Sequence, residues 1–172
     1  MKFFTPQHPS VTAAPRSETI DWYLDRGWVA QVKWNGRRIV WLYETKTVQL
    51  YNRHGSPHTK SLNIDASKVL KDMSISAIFD GEWMYPTNQF FFFDIMHYSG
   101  KDLKTTPFLE RHKLLLDLVN EEYVVPVITE KEAAAKHLFG ENDKEEGLVF
   151  RHPTAPSMND VYLVRCRKDR LS

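Results

Sequence analysis

Lys33 stands at a position from which a lysine amine could act on a bound ligand. Residues 31–38, QVKWNGRR, read as the end of one strand, a tight turn that contains Gly36, and the start of the next strand. Such a turn places the Lys33 amine at the mouth of a sheet. Most lysines at strand ends only reach for water while their stems cover apolar surface. A nucleophilic role for Lys33 therefore depends on partners supplied by the rest of the chain.

Five later segments carry charged and aromatic side chains that could accompany Lys33. Taken singly, each has an ordinary structural explanation: Phe93 as a core aromatic, Glu82 and Arg53 as turn residues, and Glu146 as part of an acidic loop. Their order along the chain is the feature that points to a common site. The segments are RHG at 53–55, DGE at 80–82, FD at 93–94, EGLVFR at 146–151 and RCR at 165–167.

Together with residues 33–38, these segments resemble the six motifs of the covalent nucleotidyltransferase superfamily, which comprises ATP-dependent DNA ligases, RNA ligases and mRNA capping guanylyltransferases. The resemblance runs over residues 31–167. It implies that Lys33 attacks the α-phosphate of ATP and forms a lysyl-nucleotide, while Mg²⁺ and basic side chains screen the phosphate charge. Because a free lysine has a pKa near ~10.4, neighbouring cations and desolvation must first favour its neutral amine.

The resemblance also implies a role for each of the other motif residues. Phe93 would stack on the base and Arg38 would contact the sugar or a phosphate. Arg165 and Arg167 would hold phosphate oxygens with their forked donors. The implied nucleotide-binding residues are Gln31, Val32, Lys33, Arg38, Arg53, Glu82, Phe93, Arg165 and Arg167.

Two further sets of residues are implied for the metal and for the nucleic acid. Glu82 matches the family's acid near the ribose and Glu146 matches the acid that supports the metal, so both are the expected Mg²⁺ ligands. Arg53 occupies the position of a residue that meets the 5′-phosphate at a nick. Arg151 matches the basic residue that ends its motif in many ligases, and Arg53 and Arg151 are therefore the expected nucleic-acid contacts.

Four positions depart from the usual pattern of the family. Asn35 stands where ligases usually carry Asp, and Gln31 replaces a glutamate near the adenine amino group. The amide oxygen of Gln31 can still accept from that amino group. Arg165 and Arg167 replace two lysines, which retains the charge but changes the donor geometry. These changes bear on turnover more than on nucleotide binding.

The expected function is that of the adenylation domain of an ATP-dependent polynucleotide ligase. A DNA ligase is favoured because Gly27-Trp28, the turn at Arg53 and the segment that follows Glu146 resemble small viral or bacterial DNA ligases. Asn35 favours an RNA ligase instead. A capping guanylyltransferase ranks third, since that group usually has Asp at the position of Glu146. The alternative from another class is a non-catalytic nucleotide- or nucleic-acid-binding module with altered motifs.

The elements that must position these residues alternate between short strands and helices. Hairpin-like spacing with interspersed helices predicts an α+β fold of mainly antiparallel sheets. The resemblance implies two such β-sheets flanked by helices, in an ATP-grasp-like nucleotidyltransferase domain. Predicted helices begin at the caps Ser17, Asp65, Thr106 and Thr129, the last with Glu132 as a capping box. Predicted strands are 28–33, 37–44, 47–51, 75–79, 90–97, 123–128, 146–151 and 162–167.

Length and composition limit the remaining possibilities. A chain of 172 residues, 42% hydrophobic and 26% charged, predicts one globular domain, 1–172, without a C-terminal oligonucleotide-binding-fold domain. Cys166 is the only cysteine, which excludes an intrachain disulfide and fits a cytoplasmic protein. No apolar run approaches the ~20 residues of a membrane span, and there is no signal peptide pattern. We expect a monomer that binds nicked DNA or RNA. Three alternatives stay open: a minimal enzyme, a fragment that lacks a C-terminal domain, or a subunit completed by a separate partner.

Overall fold

Alternating apolar residues build two separate β-sheets. The computed structural model describes residues 11–58, 64–85, 87, 89–156 and 163–168. None of the helices in this part of the chain is long and apolar enough to cross a membrane. The strands are β1 (Val11–Thr12), β2 (Val29–Trp34), β3 (Arg37–Glu44), β4 (Thr47–Tyr51), β5 (Ala77–Met84), β6 (Gln89–Tyr98), β7 (Lys101–Asp102), β8 (Glu145–Arg151) and β9 (Leu163–Arg167). The helices are α1 (Ser17–Asp25), α2 (Ala66–Val69), α3 (Phe108–Leu118) and α4 (Lys131–Phe139), with a 3₁₀ turn at Glu121–Tyr123.

The first sheet has the strand order β1-β9-β8-β2 and brings together distant parts of the chain. β1 runs parallel to β9, and the other pairs are antiparallel. One face packs against α1 and α4, with Leu138 and Val164 among the buried residues. Successive strand residues point to opposite faces, so the other face carries the polar residues. There Lys33 and Arg167 lie in one register row with Gly147 between them.

The second sheet is antiparallel throughout, with the order β4-β3-β5-β6-β7. Its outer face forms the larger core with α2 and α3, where Trp41, Phe79, Phe92 and Leu115 are fully buried. Burial of each such side chain contributes roughly 1.5–3 kcal/mol. The inner face of this sheet turns its polar side chains toward the first sheet.

Three β-bulges set the direction of side chains between the sheets. In the β5–β6 pair the register shifts at Phe93 and again at Met96, and neither residue has a Cα partner on β5. In the β2–β8 pair the register shifts at Glu146, which has no Cα partner on β2. A bulge bends its strand and re-aims the extra side chain. The sheet irregularities thus fall at two of the predicted site residues, Phe93 and Glu146.

The predicted α+β architecture of two mainly antiparallel sheets flanked by helices is confirmed. The predicted strand at 123–128 is wrong. This segment makes only isolated bridges, at Val124 and Ile128, because Pro126 cannot donate to a ladder. The short strands β1 and β7 were not predicted, and residue 162 of the last predicted strand lies outside the described residues.

The starts of the helices differ from most of the predicted caps. Asp65 caps α2 as predicted, and its carboxylate accepts from the Ser67 backbone N–H at 3.1 Å. The predicted capping box at Thr129 is wrong, because α4 begins after Glu130 without a side-chain cap. Helices α1 and α3 also begin without a side-chain cap. Tertiary packing therefore holds these helices more than local capping does.

The backbones of β8 and β9 approach each other closely at Gly147. Its φ is +151°, and a Cβ added there would lie 2.1 Å from the carbonyl oxygen of Cys166. Only glycine fits this backbone position, because the left-handed region and the close approach both exclude a side chain.

We predict that Gly147→Ala lowers the free energy of unfolding by about 3 kcal/mol or more, because the new methyl group strains φ and displaces backbone. Gly100→Ala is the matched control, since Gly100 has a φ of +81° but nothing lies within 4 Å of an added Cβ. Gly100→Ala should lower the free energy of unfolding by only about 1–2 kcal/mol. Urea unfolding followed by circular dichroism measures both values. Equal losses in the two variants would contradict the role of the close approach.

Candidate active site

A cleft lies between the inner faces of the two sheets. Its empty space is about 690 Å³, which includes the open solvent at its mouth. Most of the predicted nucleotide-binding residues meet there. The lining residues are Gln31, Val32, Lys33, Trp34, Arg38, Asp80, Glu82, Phe93, Asp94, Met96, Val149, Arg151 and Leu163.

Lys33 and Arg167 share the carboxylate of Glu146. Lys33 Nζ donates to Glu146 Oε2 at 2.6 Å, and Arg167 Nε donates to Glu146 Oε1 at 2.6 Å. Burial would raise the pKa of Glu146, but the hydrogen bonds and charges of Lys33 and Arg167 outweigh it and hold the pKa below its ordinary value. The bulge at Glu146 allows this contact, which places an anionic group between two cations.

Arg38 forms part of the opposite wall. Its guanidinium binds the Asp80 carboxylate through two hydrogen bonds, one of them from Nε to Oδ1 at 2.5 Å. The guanidinium carbon lies 4.9 Å from the centre of the Phe93 ring, a cation–π contact. Arg38 therefore supports the Phe93 ring at the cleft wall while Asp80 balances its charge.

Glu82 is a largely buried acid beside the turn between β2 and β3. Its Oε2 accepts from the Gly36 backbone N–H at 3.0 Å. Burial raises the pKa of Glu82 to about 7, and the positive charges of Arg38 and Lys33 offset only part of that effect. Near neutral pH the Glu82 carboxyl therefore occurs in both protonation states, so it can donate to a ligand hydroxyl or accept from one.

Gln31 reaches from the first sheet to the second. Its side chain is 2% exposed, and its Nε2 donates to the Val125 carbonyl at 3.2 Å and to the Phe93 carbonyl at 3.4 Å. Both donors of the amide are thus used by the protein. The amide oxygen is the part of Gln31 that remains for a ligand, and it can only accept.

Asp94 binds two arginines on the floor of the cleft. Arg111 donates to its two oxygens at 2.9 and 3.1 Å, and Arg151 donates at 3.0 Å. Burial opposes ionisation of Asp94, but these two positive charges hold its pKa below the ordinary value. Burial lowers the pKa of Arg151 to about 10. All three residues are at most 5% exposed, so they form one buried charged cluster.

Arg151, a predicted nucleic-acid contact, is buried at the cleft. Its guanidinium packs against Asp94 and lies 4.3 Å from the centre of the Phe108 ring. Arg151 lines the cleft, and its contact with nucleic acid stays a prediction. Arg53 lies apart from the cleft lining, exposed in the turn after β4, where its Nε donates to His54 Nε2 at 3.2 Å.

Arg165 faces the same side of the first sheet as Lys33. It pairs in register with Thr12, and its Nη2 donates to Thr12 Oγ1 at 3.3 Å.

Sequence reasoning assigned no role to Thr12, Asp80 or Arg111. Asp80 could have been found, because it stands two residues before Glu82 and strand periodicity puts both on one face. Nothing local distinguishes Thr12 from a linker residue or Arg111 from an exposed helix arginine.

The raised pKa of Glu82 should make stability depend on pH. Its pKa rises from an ordinary value of 4.5 to about 7, so the folded state binds a proton that the unfolded state has lost. This contribution is complete below about pH 4 and is lost as the pH rises through about 7. Relative to Glu82→Gln, the wild-type free energy of unfolding should fall by about 3 kcal/mol over that range. Urea titrations at several pH values measure the difference, and parallel pH curves would rule out the shift.

Comparison with solved structures identifies proteins that share the fold of this chain. A mycobacterial DNA ligase D complexed with ATP and MES is 18% identical, with a TM-score of 0.65 over 81% of this chain and 54% of its own. The ligase domain of LigD from M. tuberculosis is 18% identical, with a TM-score of 0.60 over 80% and 52%. An archaeal ATP-dependent RNA ligase is 15% identical, with a TM-score of 0.51 over 94% and 48%. The chain thus spans about half the length of these proteins and shares their nucleotidyltransferase fold.

Sequence comparison identifies the family. A search of curated proteins found no match. A family model described as RNA ligase matches residues 26–165, which begin before Lys33 and extend through Arg165. The resemblance to ATP-dependent ligases seen in the motifs is confirmed at the level of family and fold. The chain belongs to the RNA ligase family and has the fold of the ligase domains named above.

Proposed function

We propose that this chain is the adenylation domain of a polynucleotide ligase, in which Lys33 forms a lysyl-AMP and passes the AMP to a 5′-phosphate. The observation that carries the proposal is the Lys33 amine in the cleft, 2.6 Å from Glu146, which also binds Arg167. Phe93 and Glu82 line the same cleft. A nucleophile, an acid–base partner, a phosphate-binding cation and a base-stacking ring therefore serve one site.

The first step is attack of Lys33 on the α-phosphorus of ATP. The bond from Nζ to phosphorus forms while the bond to the bridging oxygen of pyrophosphate breaks. The ammonium must first lose a proton, and the Glu146 carboxylate, which accepts its hydrogen bond, would take up that proton. Gly147 has no side chain and lies between Lys33 and Arg167 in the sheet. A phosphate over Gly147 would be within reach of both cations, and the leaving pyrophosphate would face β9 and its arginines, Arg165 included.

The adenine would lie against the Phe93 ring, a kind of stacking contact worth roughly 1–3 kcal/mol. Every base can stack, so selectivity must come from its edge. The Gln31 oxygen can accept from the adenine amino group, whereas the carbonyl of guanine would meet an acceptor there. Glu82 and Arg38 line the wall beside Phe93 and would hold the ribose and its phosphate.

Glu146 and Glu82 are the residues that would hold Mg²⁺ together with phosphate oxygens. Mg²⁺ in nucleotide sites usually takes one or two protein carboxylates and completes its shell with phosphate and water oxygens, so this donor set fits the ion. When bound, it would screen the phosphate charge. Within the described part of the chain, no three His, Cys, Asp or Glu side chains form a cluster that could hold a metal ion.

The finer proposal is a DNA ligase that acts at a nick, with Arg53 meeting the 5′-phosphate. It is supported by the turn of Arg53, His54 and Gly55, which resembles that of small DNA ligases. An RNA ligase is the second candidate, supported by the family match over residues 26–165 and by Asn35. The chain spans about half the length of its structural relatives. The proposal therefore includes a further domain or subunit that helps to hold the duplex.

Incubation with ATP and Mg²⁺ should add one AMP to the protein, and Lys33→Ala should abolish the addition, because Lys33 is the only lysine among the described residues that line the cleft. Intact mass spectrometry measures the adduct, using protein first treated with pyrophosphate to remove any AMP already bound. Lys131→Ala is the control, since Lys131 pairs with Asp21 and Asp25 at the surface. An adduct that persists in Lys33→Ala would place the nucleophile elsewhere. No adduct in the treated wild type would support the non-catalytic module.

The polynucleotide class is tested by the sealing step alone. Given a pre-adenylylated nicked duplex, the protein should seal a DNA nick faster than an RNA nick of the same sequence. Denaturing gel electrophoresis measures the joined product, and low salt is needed because phosphate contacts weaken steeply with ionic strength. Faster sealing of RNA would reverse the assignment and select the RNA ligase.

A further inference from the structure

Two stacked aromatic rings lie at the edge of the cleft beside Lys33. Trp34 of β2 and Phe91 of β6 have ring centres 4.5 Å apart and planes inclined by 16°. Both side chains remain partly exposed, and Trp34 lines the cleft. Because the two rings come from different sheets, the stack spans the gap between the sheets and still offers aromatic surface to a ligand.

Trp34 lines the cleft beside Lys33, although neighbouring residues of a regular strand face opposite sides. The register of β2 against β8 shifts between these two residues, where β8 carries its extra residue, Glu146. A bulge of this kind increases the local twist of the strands. Trp41 and Trp83, which fill the core, are at most 2% exposed, so the partly exposed Trp34 differs from the tryptophans used for packing.

The edge of the cleft near Trp34 also carries positive charge and a further exposed ring. Arg37 is exposed, and its guanidinium carbon lies 4.6 Å from the centre of the Tyr85 ring, which is 50% exposed. The turn packs tightly on the end of β5, since a Cβ added at Gly36 would lie 2.4 Å from the Trp83 carbonyl oxygen. The turn and the end of β5 therefore form one rim with aromatic surface and a cation.

We infer that the stack of Trp34 and Phe91 is a nucleobase subsite for the polynucleotide strand, separate from the adenine contact at Phe93. The inference rests on the proposed function, which requires a strand end to approach the AMP on Lys33. Phe91 and Phe93 stand two residues apart on β6, roughly 7 Å along a strand. A base on the stack would thus lie next to the nucleotide site. Aromatic surfaces bind every base, and Arg37 supplies a phosphate contact.

A double-mutant cycle, which combines variants of the protein with modified duplexes, tests the subsite. Equilibrium binding of nicked duplexes is measured by fluorescence anisotropy at low salt and without ATP. Each nucleotide that flanks the nick is replaced in turn by an abasic tetrahydrofuran residue. At one of these nucleotide positions, the abasic replacement should weaken binding to the wild-type protein about tenfold, in line with the energy of aromatic stacking. In Trp34→Ala the intact and abasic duplexes should bind equally, while Trp34→Phe keeps most of the difference.

Trp22→Ala is the matched control, because Trp22 is 47% exposed on α1, away from the cleft lining, and it should keep the tenfold difference. Equal wild-type binding of intact and abasic duplexes would overturn the inference. So would a Trp34→Ala variant that binds more weakly but still distinguishes the two duplexes, since Trp34 would then only space the sheets. The same binding measurement with DNA and with RNA duplexes identifies the sugar that the subsite accepts. The measurement needs no ATP, so failed lysyl-AMP formation would refute the proposed function without deciding this test.

Discussion

The buried carboxylate of Asp94 is the constraint on which the cleft depends. It belongs to β6 of the second sheet, and it binds Arg111 of α3 and Arg151 of β8 in the first sheet. Loss of one partner from such a buried cluster costs roughly 3–5 kcal/mol, because the remaining charges are left unpaired in an apolar setting. The cluster therefore ties three layers together at the floor of the cleft, directly beside Phe93.

Charge pairing explains how the cleft holds so many cations close together. Lys33 and Arg167 share Glu146, and Arg38 is paired with Asp80. A phosphate of the proposed nucleotide would not meet bare positive charge but would compete with a carboxylate that is already in place. Binding is then an exchange of anions, which gives less net affinity than the number of cations suggests and makes the arrangement of donors decisive.

The sequence was sufficient for the parts of the site that follow from local order. Lys33, Glu82 and Phe93 were all found from the order of their motifs. Hairpin-like spacing predicted mainly antiparallel sheets, and the family resemblance implied that there are two of them. The pairing of Asp94 with Arg151 could not be predicted, because it depends on which strand of the other sheet lies opposite. The same holds for the bulge at Glu146, since a register shift is a property of two strands together. The burial of Arg151 could not be predicted either, because its motif carries no sign of burial.

The order of strands in the two sheets has a consequence for how the protein is made. The second sheet uses only residues 37–102, so its contacts are comparatively local and can form early. The contact between Lys33 and Glu146 joins residues 113 positions apart, and contacts of such long range form slowly because a large loop must close. A chain leaving the ribosome can thus complete the second sheet while β2 still lacks its partner. Lys33 meets Glu146 only when β8 has been synthesised and has docked, so the pair that we propose for catalysis assembles late in folding.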